Sequence, residues 1–148
     1  MSAGSKVLYS LKGGAGYRRK GMVKIEGSFL PNGSSTPTLP VLQKQLTAGT
    51  ALLGVPGIQA VTWISTGIWQ LAFDKTYIQL IEAHVLPQFS TPTEHNLQIG
   101  AVDLTGSTVS GVASIRIVNA PSGSVADIAA NAANIIYFGF TFNESDSV

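Results

Sequence analysis

The sequence predicts an all-β fold, an antiparallel β-sandwich preceded by an extended N-terminal arm, and three features of the chain predict it. Seven or eight segments of strand length alternate large apolar residues with polar or small ones. Gly, Pro, Ser and Asn cluster between those segments, where turns need them. No stretch sustains a convincing helical repeat of apolar positions. Two sheets packed face to face bury one side of every such strand. Jelly-roll and immunoglobulin-like connectivities share this pattern, so both remain open. With 148 residues the chain is long enough for one sizeable core and too short for two full domains. The division expected is a basic, flexible arm over residues 1–21 and a sandwich domain over 22–148.

The first strand runs from Met22 to Phe29, with Val23, Ile25, Gly27 and Phe29 on one face, and ends at Leu30-Pro31-Asn32-Gly33. Pro31, Pro37 and Pro40 forbid helix in the turn-rich connection that follows and interrupt any sheet ladder. From Val41 to Ile58 the chain reads as an irregular excursion with at most one short strand. Leu42 and Leu46 have helical spacing there, but Gly49, Gly54, Pro56 and Gly57 break it.

Alternation resumes at Ala60 to Ser65, with Val61 and Trp63 against Thr62 and Ile64, and Gly67 turns the chain into the clearest pair of runs. In the first of these Trp69, Leu71 and Phe73 form a large apolar face that must be buried. In the second, ending at Pro87, Ile81, Ala83 and Val85 alternate with Glu82, His84 and Leu86. The two runs are expected to face each other as part of a three-strand meander. Asp74 would accept from the N–H of Thr76 or Tyr77, with Tyr77 and Leu80 folding back onto the pair.

Leu97, Ile99 and Ala101 then alternate with Gln98 and Val102 between Asn96 and Leu104, and Thr105 to Gly111 is a polar loop. Ala113 to Asn119 places Ile115 and Ile117 opposite Arg116 and Val118, and Ala120-Pro121-Ser122-Gly123 turns it. The stretch DIAANAANI is short and carries two asparagines, so it is expected to be an irregular crossover in spite of its alanines. Ile135 to Asn143 sets Ile136, Phe138, Phe140 and Phe142 on one face, and a strand so apolar belongs at the centre of a sheet.

Charged residues are only 11% of the chain against 45% hydrophobic, and a surface so poor in charge favours association. A homo-oligomer is expected. The absence of cysteine excludes disulfides and thiolate metal sites. No apolar run approaches the length of a membrane span, and MSAGSKVLYS lacks the apolar core of a secretion signal, so the product is expected to stay in the compartment where it is made. Lys6, Lys12, Arg18, Arg19, Lys20 and Lys24 precede the first acid, and Gly13, Gly14 and Gly16 loosen the backbone among them. Such an arm is either a solvated tail or a docking element for an acidic protein surface or nucleic acid. Tyr17 beside Arg18 and Arg19 suits base stacking, but no recognition helix or stacking platform accompanies the cluster, and nucleic acid is disfavoured. The KGGAG run lacks the Gly-Lys-Ser/Thr ending of a phosphate loop.

No catalytic set emerges, and nothing calls for a cofactor or metal. His84 and His95 have no recognised ligand spacing; the first reads as a half-buried packing residue and the second as a solvated loop residue. Asp74, Asp103 and Asp127 fall at turns, where Asp satisfies backbone donors, and no serine sits at a strand-to-helix elbow.

Two runs carry a family resemblance. GIWQLAFDKTYIQLIEAHVLPQ and SIRIVNAPSGSVADIAANAANIIYFGFTFNES, with the basic segment and KIEGSFLPNGSSTPT ahead of them, resemble the small head decoration (cement) proteins of tailed bacteriophages; Val41 to Ile58 has no counterpart. The resemblance implies a non-enzymatic β-sandwich, made in the host cytoplasm and placed on the outer capsid surface. There it would bind the major capsid protein and itself, as a homotrimer first and a dimer second, and stabilise the head. The candidate contacts are Lys6, Lys12, Tyr17, Arg18, Arg19 and Lys20 of the arm. A carbohydrate- or receptor-binding sandwich of a fibre or spike is the alternative.

Overall fold

Phenylalanine at every second position of Phe138, Phe140 and Phe142 gives one strand a face that water cannot accommodate, and the molecule is built around it. In the computed structural model, which describes residues 21–39, 55–91 and 94–144, this strand, β8 (Ile135–Asn143), lies inside a four-stranded sheet. Its neighbours are β1 (Met22–Asn32) on one side and β5 (Gln79–Gln88) on the other, both antiparallel, and β2 (Ser35–Thr38) completes the sheet beyond β1. The second sheet has the order β3 (Ile58–Ser65), β4 (Ile68–Phe73), β7 (Ser114–Asn119), β6 (Leu97–Asp103), again antiparallel throughout.

The two sheets form the expected sandwich. Trp69, Leu71 and Phe73 of β4 and Ile115 and Ile117 of β7 meet Ile25 and Phe29 of β1 and Ile136, Phe138, Phe140 and Phe142 of β8 in one buried cluster. Phe73 inserts edge-on between two of its partners, 5.5 Å from Phe140 and 5.0 Å from Phe142 at interplanar angles of 89° and 76°. Edge-to-face geometry places the positive ring edge on the negative ring face, which adds to the area term. Phe29 and Trp69 make a second contact across the sandwich at 6.1 Å. Between Asp127 and Ile135 the chain forms no helix, as its asparagines imply.

Five expectations are corrected. The runs on either side of Asp74 do not pair: β4 stays in one sheet while β5 joins the other, so the chain crosses the sandwich there and no meander forms. The Tyr77 N–H donates to Leu104 O at 3.0 Å, bonding to the opposite strand's loop in place of Asp74. Tyr77 does fold back, stacking on Phe142 at 4.0 Å. Ile81 is exposed, because the register between β5 and β8 shifts between Leu80 and Glu82. One extra residue in a strand with a two-residue repeat exchanges its faces, so Leu80 faces the core in Ile81's place. A similar irregularity between Ile99 and Val102 leaves Ala101 exposed on β6. Lastly, β1 continues through Pro31 to Asn32 and pairs with β2, where a turn-rich connection without a sheet ladder was expected. Pro31 lies past the last residue paired with β8 and at the shift against β2, while Pro37 lies on an edge strand, so each missing N–H costs little ladder.

The β3–β4 hairpin turns at Gly67, whose φ of +68° favours glycine. A Cβ there would also sit 2.7 Å from Ala126 N, so the crossover after β7 packs directly on the hairpin tip. The cluster around β8 makes a direct prediction. Truncating Phe138 to Ala is expected to destabilise the domain by about 3 to 5 kcal/mol in a denaturant titration, and a loss under about 1 kcal/mol would contradict this packing.

Candidate functional site

The six arm residues singled out from the sequence, Lys6, Lys12, Tyr17, Arg18, Arg19 and Lys20, lie outside the described residues. Among the described residues no group of three or more His, Asp or Glu is placed to hold a metal ion, and no helix is long and apolar enough to cross a membrane. What the fold does assemble is a buried polar knot at one end, a polar cleft on the outer face of the second sheet, and an exposed face of the first sheet.

At the end of the sandwich Asn119, fully buried, ties together the loop ahead of β6 and the crossover after β7. Its Oδ1 accepts from Asn96 N at 3.1 Å, and its Nδ2 donates to Ala126 O at 2.9 Å and lies 3.1 Å from His95 Nδ1. His95 is therefore not a solvated loop residue. Its ring is half-buried and lies 4.0 Å from that of Phe89. Beside it Asp127 Oδ1 accepts from Trp63 Nε1 at 2.9 Å and from Gly67 N at 2.7 Å. Phe89, His95, Asp127, Ile128 and Asn134 line a cavity of about 240 Å³. Asn134 Oδ1 accepts from Ser90 N and Asn134 Nδ2 donates to Ala129 O, so its polar atoms already serve the loops around it. His84 differs from expectation as well: it is exposed, with its ring laid over Gly139 so closely that a Cβ there would fall 2.2 Å from Cε1.

The second feature is built on Asp103. Its Oδ1 accepts from Thr105 N, Thr105 Oγ1 and Gly106 N, and its Oδ2 from Ser107 Oγ, Thr108 N and Thr108 Oγ1, at 2.6–3.2 Å. These donors, the Thr108 N–H foremost, hold the carboxyl well below the usual carboxylate range. Next to the loop, Gln70 and Arg116 stand opposite each other on β4 and β7, with Arg116 Nε donating to Gln70 Oε1 at 3.1 Å. Together with Ala101, Val102 and Ser114 they line a cleft of about 400 Å³. Asp103 is the turn cap that its sequence predicts, whereas Asp127 sits at no turn of its own and binds across to Trp63 and Gly67 of the β3–β4 hairpin; Gln70 and Arg116 were passed over. Their only signal is a cross-strand register that no single segment reveals.

The outer face of the first sheet carries Lys24 and Glu26, 3.2 Å apart, with Glu82, His84, and the paired Leu86 and Tyr137, which are 59% and 40% exposed. Charge is divided sharply along the chain. Five of its nine Lys and Arg residues fall within residues 1–20, where there is no acid, so the remaining 128 residues carry four cations against eight acids.

Comparison with protein-family models, with curated proteins and with solved structures finds no match to this chain.

One titration follows from the crossing between sheets. Burial, then the negative charges of Asp74 and Glu144, pushes the Tyr77 phenol up from 10.0 to about 12. Between these values the folded state holds a proton that the unfolded chain has released. Stability is therefore intact below pH 10 and falls as pH rises towards 12. Tyr77→Phe is expected to flatten this alkaline loss in melting temperature measured across that range.

Proposed function

We propose that this protein is a structural component of a virus particle, a capsid decoration protein that binds the outer surface of the major capsid protein shell and stabilises the head. The observation that carries the reading is the division of charge: a segment with five cations and no acid precedes a domain with twice as many acids as cations. Opposite charges separated on one chain favour contact between chains, because the arm of one copy meets an acidic body wherever it reaches a neighbour. A sandwich with a predominantly apolar core, an exposed Leu86–Tyr137 pair and little surface charge supports the same reading. So does the family resemblance in the runs around β4, β5, β7 and β8.

In this reading the arm reaches across a subunit boundary and Lys6, Lys12, Arg18, Arg19 and Lys20, with Tyr17, settle on an acidic neighbour. Each exposed ionic contact is worth about 0 to 1 kcal/mol, so one arm alone is weak. Copies repeated around a symmetric shell add through effective concentration. Self-association, as a trimer first and a dimer second, supplies that multiplicity. No catalytic step and no cofactor enter.

Deleting residues 1–20 is expected to lower occupancy on stripped particles and to reduce its dependence on salt. Undiminished occupancy with an unchanged salt slope would move the docking surface to the sandwich. Sedimentation equilibrium is expected to show a trimer, and a monomer at high micromolar concentration would count against association in solution.

A further inference from the structure

The cleft beside Arg116 contains more recognition chemistry than a sheet surface needs. Arg116 spends its Nε on Gln70, and no described residue pairs with the rest of its guanidinium. Four N–H donors therefore remain. Gln70 uses its carbonyl oxygen to accept that bond, which fixes the amide so that its NH₂ group is the free end. Arginine and glutamine thus offer donors side by side, an arrangement that fits a carboxylate.

The opposite wall has the reverse polarity. Thr105, Ser107 and Thr108 each direct the hydroxyl proton to Asp103. Because the Thr108 proton is committed there, the 3.0 Å contact between Thr108 Oγ1 and Ser114 Oγ must be donated by Ser114. The hydroxyl wall consequently presents lone pairs and no protons. It suits a ligand bearing O–H groups. The six neutral donors around the Asp103 oxygens hold it ionised, so its charge disfavours an anion on this wall and leaves a ligand carboxylate to the Arg116 and Gln70 side.

Two features of β6 open the space. The register irregularity between Ile99 and Val102 sets two residues against Arg116 where one would normally stand. One of them, Gly100, has no side chain; a Cβ there would lie 3.4 Å from Arg116 Cβ and 3.0 Å from Val118 Cγ2. Ala101 and the 42% exposed Val102 border the gap with apolar surface that can cover the C–H face of a ring.

We propose that this cleft binds an acidic sugar, a uronic or nonulosonic acid at the end of a glycan chain. Its carboxylate meets Arg116 and Gln70, and its hydroxyls donate to Thr105, Ser107, Thr108 and Ser114. The cleft's volume is at the lower end of small-molecule sites and suits one sugar unit. The inference does not depend on the particle assignment, because it concerns the second sheet's outer face and not the arm.

Glucuronate, N-acetylneuraminate, glucose and acetate can each be titrated into the ¹⁵N-labelled full chain and followed by NMR. At least one of the two acidic sugars is expected to shift the Gln70 side-chain amide and the Thr105–Thr108 amides, saturating in the millimolar range. Glucose, which lacks the carboxylate, and acetate, which lacks the hydroxyl donors, should each bind at least about tenfold more weakly, the difference of one charge-assisted contact for the first and of one or two hydrogen bonds for the second. Gln70→Glu, which supplies an internal carboxylate to Arg116, should abolish the response, and Arg116→Lys should weaken it by about tenfold, both with unchanged melting curves. The proposal is overturned if acetate or an N-acetylglutamyl peptide binds as tightly as the sugars. It is equally overturned if glucose matches them, if shifts centre on Phe89 and His95, if Gln70→Glu still binds, or if neither acidic sugar shifts these groups.

Discussion

The edge of the Phe73 ring, held between Phe140 and Phe142, is the contact on which the rest of the sandwich depends. It joins the end of β4 to the middle of β8, and therefore joins the two sheets at the place where the chain passes from one to the other. The crossing itself is short. Phe73 N donates to Ala113 O, Ala113 N donates back to Lys75 O, and Tyr77 N reaches Leu104 O before the chain enters β5. Every backbone donor in this exchange would be orphaned if the aromatic contact let the sheets separate, so packing and hydrogen bonding stand or fall together.

The same coupling explains which parts of the fold were legible in the sequence. Runs whose alternation is unbroken, such as Trp69-Gln70-Leu71-Ala72-Phe73 and Ile136 to Phe142, declare a face, and the face is buried as expected. Partnership between strands is another matter. Alternation says that a strand has a core side and says nothing about which sheet it joins, so β4 and β5, adjacent in sequence and complementary in pattern, were natural partners on local grounds and are separated by the tertiary fold. The bulges at Ile81 and at Gly100–Ala101 were equally hidden, since an extra residue leaves composition and hydropathy untouched while exchanging the faces beyond it. The β1–β2 hairpin did have a local sign, the Asn32-Gly33 pair, which was outweighed by the surrounding prolines.

The polar sites divide in the same way. Asp103, Thr105, Ser107 and Thr108 lie within six residues of chain, and the sequence of small hydroxyl side chains after an aspartate announces a self-contained turn. Gln70 with Arg116, and His95 with Asn119 and Phe89, are assembled from distant segments, and no spacing rule connects them. Histidine on its own was a poor guide. His95 is held by a buried amide and an aromatic ring, and His84 serves as a cover for the glycine opposite it, because each position is decided by a neighbour from another strand.

The pairing of β1 with β8 sets how the domain comes into being. Met22 lies opposite Asn143 and Phe29 opposite Ile136, so one side of the central strand is formed entirely from contacts between remote parts of the chain. Closing so large a loop costs entropy before any of these contacts repays it, and topologies of this kind fold in milliseconds to seconds where local ones take microseconds. During translation, β1 waits without its central partner until β8 has left the ribosome. The phenylalanines of β8 are thus the last large apolar face of this sandwich to be made, and until they are buried the nascent chain is exposed to wrong partners.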